Sequence, residues 1–473
     1  MSEWLQHSAL QLAKSIRQRE ISSQELLQIH IDRILEVNPT INAIVEERFD
    51  AAMKEAYKAD QLIAQKSAEL PAFHGVPCTI KECFALEGMP QSSGLLARKD
   101  IRASQDAPTV SRLRQSGFIP MGVSNLSELC LWMESNNKVY GRSNNPYDPT
   151  RTVGGSSGGE GAIVGAGGSP IGLGSDIGGS IRMPAFFNGV FGHKPSPGII
   201  SNDGQYPIAE NEALQYLCTG PICRRAEDLP VISRILAGEN AHRFLDEPVD
   251  VKTLRVLHIP DDGRISVSEE LRDVQRKVVD YYRQQGAEIE ELRIDALKRS
   301  VEIWSAMLEM AGGHSFQELL FEGQSRSVLW ECLLYLLGKS SHTFPALGLV
   351  ILEQFSKFNR RQMRHFFSLG EELQAEFRQL LHGNTIALYP SHAMVAPKHG
   401  RSMMTPWNWA YTAIINTMKL PATQVPLGLN EDGLPLGIQI VANEGQDHLC
   451  FAVAIELEKA FGGWRMPSRD FSR

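Results

Sequence analysis

The 473-residue sequence predicts an α/β protein, and three observations carry that reading. TLRVLHI (253–259) is followed by the helical pattern SEELRDVQRKVVDYYRQQG (268–286). LGIQIVA (436–442) is followed in the same way by HLCFAVAIELEKAFGG (448–463). Such strand-then-helix units are how helices come to lie on a sheet. Between 154 and 200, short apolar runs alternate with turns. The segment GGSSGGEGAIVGAGGSPIGLGSDIGGSIR (154–182) holds too much Ile, Val and Leu for a flexible Gly/Ser linker, so it reads as buried backbone.

Each further element has its own signal. Ser22-x-x-Glu25 is a capping box, and Leu27, Ile31, Ile34 and Leu35 follow at helical spacing. An amphipathic helix is therefore predicted over 22–37, stopped by Asn38-Pro39. GVPCTIKE (75–82) predicts a short buried strand with Lys81 at its end. Residues 301–382 are mainly helical in pattern and rich in aromatics (Trp304, Phe316, Phe321, Trp330, Tyr335, Phe355, Phe358, Phe366, Phe367), which suggests an insertion packed on the sheet and walling a pocket. Its apolar stretches 328–337 and 344–355 are each too short to cross a bilayer, and segments of this kind usually end up in the core. No repeat and no linker divides the chain, so a single domain over 1–473 is expected.

Composition narrows the function. A net charge of −8, with 42% hydrophobic and 22% charged residues, leaves no basic footprint, so no nucleic-acid role is expected for the chain on its own. Seven cysteines form no C-x-x-C pair, and MSEWLQHSALQLAK at the N-terminus has neither a basic n-region nor an apolar h-region. A reducing cytoplasm is the expected setting, with no transmembrane span.

The glycine-rich stretch needs a chemical reason, because glycine inside an element destabilises by about 0.5–1 kcal/mol relative to alanine. A P-loop is excluded, since no lysine lies between Gly154 and Arg182. A dinucleotide fingerprint is excluded by Pro170 and Ile177 where glycines would be required. The serines remain, and a hydroxyl becomes a good nucleophile only when a base takes its proton. Gly154-x-Ser156-x-Gly158 matches a nucleophile elbow, with His392, His399 and His448 downstream as candidate bases. Lys81 is the competing base, because a lysine against a dry surface gives up its proton more readily. Spacing alone leaves both open. Cys78 and Cys83 bracket Lys81 with no ligand-spaced histidine, so they read as packing, and neither metal nor cofactor is expected.

Three motifs add a resemblance: GGSSGGEGA, GSDIGGSIRMPAFFNGVFGHKPSPG and GVPCTIKE are similar to the amidase signature family of serine hydrolases, over roughly residues 8–465. Within that family, LYPSHAMVAPKHG (388–400) and GLPLGIQIVA (433–442) most resemble fatty-acid amide hydrolases, the type 2 branch in particular, although no N-terminal transmembrane segment is present. The resemblance implies a large mixed β-sheet covered by helices on both faces, with the signature core at about 70–200. It implies a Ser-Ser-Lys triad in which Ser180 is the nucleophile, Ser156 the bridge and Lys81 the base, and a cis Gly155–Ser156 peptide. N–H groups of Ile177, Gly178, Gly179 and Ser180 would then form an oxyanion hole. Ser157 is expected as a supporting hydrogen-bond partner, and Asp176 and Arg182 as a structural ion pair. The implied activity is cleavage of a small-molecule amide with an apolar acyl chain to acid and amine, with esterase side activity. Residues 327–355 would then line an acyl channel, and Trp330, Tyr335 and Phe344 would allow peripheral membrane contact. A homodimer is compatible with this reading. The alternatives are the A subunit of a glutamyl-tRNA(Gln) amidotransferase and a small-amide hydrolase. All three triad positions are filled, which argues against a catalytically dead binding protein.

Overall fold

The computed structural model describes residues 2–65, 69–355, 360–469 and 471. Phe358 lies outside the described residues, and so does the side chain of Phe355. The described chain builds one 11-stranded mixed sheet, together with a two-stranded ribbon at Asn136–Asn137 and Gly141–Arg142. Strand order across the large sheet is Ile44–Glu47, Ile119–Ser124, Pro77–Lys81, Ile171–Asp176, Cys218–Cys223, Phe191–Lys194, Ala422–Leu429, Pro435–Val441, Thr385–Tyr389, Arg255–His258 and Glu288–Glu291. The strands that carry the site are buried along their whole length, their polar residues Thr79, Lys81, Ser175 and Asp176 included.

Pro77–Lys81 runs parallel to both neighbours, Ile119–Ser124 and Ile171–Asp176. Lys81 and Asp176 therefore both stand at the C-terminal ends of adjacent strands, the edge of an α/β sheet where ligands bind. The turn after Asp176 leads into the short helix Arg182–Phe187, against which the helix Gly158–Gly165 packs. Every residue of Gly158–Gly165 is buried, and at Gly161 a Cβ would sit 2.8 Å from the Pro184 carbonyl oxygen. Much of the glycine density therefore serves close helix packing.

The predicted strand-helix units form as Arg255–His258 with Glu269–Gln285, and Pro435–Val441 with Asp447–Phe461. The capping box at Ser22 and Glu25 is present, but the helix runs on to Ile41. Pro39 removes one donor in the last turn only, and the helix ends where Asn42 turns left-handed at φ 45°. The aromatic segment is helical: Ser300–Met310, Phe316–Leu320, Val328–Leu336, Phe344–Phe355 and Arg360–Leu380.

One expectation fails there. Core burial was predicted for 328–337 and 344–355, yet Leu336 is 82% exposed, Leu329 72% and Trp330 58%, with Leu333, Leu337, Phe344 and Leu352 also outward. The hairpin buries only its inner face, where Val328, Ala346, Leu347 and Val350 join Leu95, Leu129, Leu320 and Phe321 in a small cluster separate from the main core. That cluster is too small to cover both faces of two helices.

Candidate active site

Lys81 is fully buried at its strand end, and its Nζ donates to Ser156 Oγ at 2.7 Å and to Ser175 Oγ at 2.9 Å. Among the described residues it makes no salt bridge, and no histidine hydrogen-bonds Ser156. The Gly155–Ser156 peptide is cis. Ser135 holds the Ser156 loop from behind: its Oγ donates to the Gly154 carbonyl at 3.0 Å and accepts from the Gly158 N–H at 3.0 Å. Ser157 ties the two glycine-rich turns to each other. Its Oγ donates to the Ser175 carbonyl at 3.3 Å, and its N–H donates to the Ser180 carbonyl at 3.2 Å, which draws the two glycine-rich turns together.

In the run from 171 to 190 only Ile177, Gly178 and Ser180 are not buried, so the turn opens at the predicted nucleophile. Trp304 Nε1 donates to the Ile177 carbonyl at 3.1 Å, and Thr412 Oγ1 donates to the Gly178 carbonyl at 2.9 Å. In a trans peptide the N–H points opposite its C=O, so these bonds fix where the next N–H groups aim. The Gly179 N–H donates to Asp176 Oδ1 at 2.7 Å, whereas no described hydrogen bond uses the N–H groups of Ile177, Gly178 or Ser180. Of the four predicted oxyanion donors, Gly179 is thus already engaged. No described hydrogen bond joins Ser180 Oγ to Ser156 Oγ.

Asp176 and Arg182 form a fully buried ion pair, Nη2 to Oδ1 at 3.0 Å and Nε to Oδ2 at 3.1 Å. Arg182 also donates to Gln439 Oε1, the Thr412 carbonyl and Asn416 Oδ1, and Asp176 accepts from the Ile181 N–H at 3.0 Å. Burial opposes the Asp176 charge, but the guanidinium and these donors hold its carboxyl well below the usual range. Under Lys81, Glu160 accepts from Thr79 Oγ1 at 2.6 Å, and burial pushes its carboxyl up to about 7.

Sequence reasoning missed Ser175, Ser135, Thr412, Asn416 and Trp304. Ser175 alone had a local signal, sitting inside GSDIGG, but its approach to Lys81 depends on strand register. A cavity of about 250 Å³ has a lining that includes Trp132, Glu134, Asn137, Tyr335, Phe344 and Met403, and the backbone of its Trp132 and Glu134 packs on Gly155. The exposed hairpin thus forms one wall of it.

A mixed sheet with a buried lysine and two serine-bearing glycine turns at one strand edge defines a class, and comparison with known proteins places it. Residues 25–451 match the amidase family model. The chain is 48% identical over 481 residues to fatty-acid amide hydrolase 2-A of Danio rerio, covering 98% of this chain and 90% of that one. It is 47% identical to fatty-acid amide hydrolase 2 of Homo sapiens with the same coverage. The solved structure of a bacterial aryl acylamidase of the amidase signature family superposes with a TM-score of 0.82 at 22% identity, covering 100% of both chains. The chain belongs to the amidase family. It is a hydrolase that acts on amides and stands close to fatty-acid amide hydrolase 2. Among the described residues no helix is long and apolar enough to cross a membrane.

Proposed function

We propose that this amidase hydrolyses an apolar, fatty-acyl amide to acid and amine through an acyl-enzyme on Ser180. The observation that carries the reading is Lys81 Nζ held 2.7 Å from Ser156 Oγ in a dry setting, beside a turn whose accessible positions are Ile177, Gly178 and Ser180. Ser180 Oγ attacks the amide carbonyl, and Ser156 takes its proton while passing its own to Lys81. N–H groups of Ile177, Gly178 and Ser180 receive the developing oxyanion. The proton then returns through Ser156 to the departing nitrogen, so the amine leaves neutral. Water repeats the sequence on the acyl-enzyme.

The fatty-acyl assignment rests on the likeness to fatty-acid amide hydrolase 2 and on the cavity walled by Tyr335 and Phe344. The outward Leu329, Trp330, Leu333 and Leu336 suit contact with a lipid surface from which such a substrate is drawn. We read the chain as one amidase unit, because a single sheet recruits strands from residue 44 to residue 441. Free cysteines at all seven positions suit the cytoplasm.

The deciding experiment is labelling with a lipid-like fluorophosphonate and peptide mapping of the modified serine, beside a panel of acyl amides of increasing length. Label on Ser180, lost in Ser180→Ala, is expected. Label on Ser156 would overturn the assignment of the nucleophile.

A further inference from the structure

The segment from Glu128 to Ser135 carries two buried carboxylates that the hydrolysis above does not use, and each reaches a different wall of the cavity. Glu128 Oε1 accepts from His342 Nδ1 at 2.9 Å, and its Oε2 accepts from the Thr343 N–H at 2.8 Å. Both donors belong to the turn between the helices Val328–Leu336 and Phe344–Phe355, just before Phe344 enters the cavity wall. Glu134 accepts the Gly400 N–H with both oxygens, at 3.1 and 3.2 Å, on the side where Met403 lines the same cavity.

The Glu128 contact grips the whole hairpin. Its side chain and that of His342 are 1% and 4% exposed. The His342 N–H donates to Ser340 Oγ at 3.1 Å, and that hydroxyl donates to Glu331 Oε2 at 3.3 Å in the first helix. Phe321 stands edge-on against the His342 ring, with centroids 5.5 Å apart. A buried carboxylate left short of a donor is costly, whereas the hairpin's apolar contacts are confined to one small cluster. The same segment backs the relay. Ser135 Oγ bonds the Gly154 carbonyl and the Gly158 N–H, and a Cβ on Gly155 would lie 2.2 Å from the Trp132 carbonyl oxygen. Its other end is pinned by the Leu129 N–H, which donates to the Ser93 carbonyl at 2.8 Å. One short stretch of backbone therefore locates both the Ser156 loop and the hairpin wall.

We propose that Glu128, acting through His342 and Thr343, is a positioning residue that sets the hairpin wall relative to the Ser156 loop and thereby decides which acyl chains the cavity accepts. Glu128 moves no proton and touches no reacting atom in this role. The proposal rests on the fatty-acyl reading given above, because it gives the cavity to the acyl chain. Its effect falls on binding: loosening the wall raises KM for long-chain amides and leaves kcat nearly as it was, since Lys81, Ser156 and Ser180 keep their places.

His342 lies behind the wall, outside the cavity lining, so replacing it acts through position alone. His342→Leu leaves Glu128 Oε1 without its donor, whereas His342→Asn offers an amide N–H in place of Nδ1–H. Kinetics of the full chain are measured on acyl amides of increasing length, beside the rate of Ser180 labelling by a short-chain fluorophosphonate. His342→Leu should raise KM for the longest amides roughly tenfold, the order expected when a buried bond to a charged group is lost, with kcat changed less than about threefold. His342→Asn should recover most of that loss, and labelling should stay at the parent rate in both. Hydrogen exchange should quicken in peptides within 340–353 of His342→Leu and not in the strand Pro77–Lys81. If His342→Leu does not fold, Glu128→Gln, which keeps the shape and one acceptor, makes the same comparison. Equal losses at every chain length, a fall in labelling, or no change in KM overturns the proposal. A series already flat in the unaltered chain overturns the fatty-acyl reading and the proposal with it, whereas a graded series that His342→Leu leaves intact overturns the proposal alone.

Discussion

Gly178 and Gly179 are adjacent and identical in sequence, yet substitution by alanine should separate them sharply. At Gly178 a Cβ would meet nothing nearer than Trp304 Cζ2 at 3.8 Å, an ordinary contact, and φ is not left-handed. At Gly179, φ is +119°, a conformation L side chains rarely adopt, and a Cβ would strike the Thr412 hydroxyl and lie 3.2 Å from Thr412 Cγ2. Thr412 cannot yield, because it is buried in the helix Ala410–Thr417 and its hydroxyl holds the Gly178 carbonyl. The backbone strain costs about 1–3 kcal/mol. Turning the peptide to escape the collision with Thr412 breaks the bond from the Gly179 N–H to the Asp176 carboxylate, worth about 1.5–3 kcal/mol. Gly179→Ala should therefore destabilise by roughly 3–6 kcal/mol. Gly178→Ala should cost less than about 1 kcal/mol. Urea denaturation measures both, and the rate of fluorophosphonate labelling reports whether the turn still presents Ser180. Thr412→Ala should recover part of the Gly179→Ala loss by removing the collision while leaving the φ cost. If Gly179→Ala unfolds with Gly178→Ala, or if Thr412→Ala restores nothing, the account of this turn is wrong.

Other substitutions test the remaining parts of the site. Lys81→Ala should slow amide cleavage by about 10²–10⁴ and matched ester cleavage by less, since an alkoxide leaves without the returned proton; equal losses in paired kcat/KM measurements would remove Lys81 from the acid role. Arg182→Met should cost about 3–5 kcal/mol in chemical denaturation by leaving Asp176 charged and unpaired. The Asp176 carboxyl is lowered in the folded state, so its stabilisation is complete above about pH 4 and drains as pH falls further; Asp176→Asn should flatten that acid-side loss, and an unchanged slope would contradict the pairing. Lengthening the acyl chain should raise kcat/KM by up to about 0.8 kcal/mol per buried CH₂ until the cavity fills, and a flat series would leave a small-amide hydrolase. Vesicle co-sedimentation should weaken in Trp330→Glu; no binding by the parent chain would remove the lipid-surface contact alone.

How far the sequence reached follows from the range of its signals. Local ones gave the Ser22 capping box and the two C-terminal strand-helix units, because capping and periodicity act within a few residues. Motif likeness proposed Lys81, Ser156 and Ser180 across a hundred positions. What pattern could not supply was register. Thr79 pairs with Gly172 and Ile80 with Leu173, and only that pairing puts the Ser175 hydroxyl on Lys81. Trp304 and Thr412 reach the 177–179 turn from helices more than a hundred residues downstream, with no local mark on either. The hairpin 328–355 misled for a related reason. Its composition is that of a core segment, and apolar content cannot say whether a second apolar face exists to cover it.

Arg182 and Lys81 are both buried near this strand edge, and their partners differ in kind. Arg182 is given a carboxylate, two side-chain amide oxygens and a backbone carbonyl, all of which only accept, so its charge is fixed and the turn after Asp176 is fixed with it. Lys81 is given two serine hydroxyls and, among the described residues, no carboxylate contact. A hydroxyl accepts from an ammonium and donates to an amine with equal ease, so the geometry around Nζ can persist while the proton moves. A carboxylate in place of Ser175 would keep the proton on Lys81 and stall the relay at its first step. The proposed mechanism thus depends on what each cation is denied as much as on what it touches. Ser175→Asp, of similar reach and opposite character, should lower kcat at neutral pH while Ser175→Ala keeps more of it, and the reverse order would mean that Ser175 serves only to fill space.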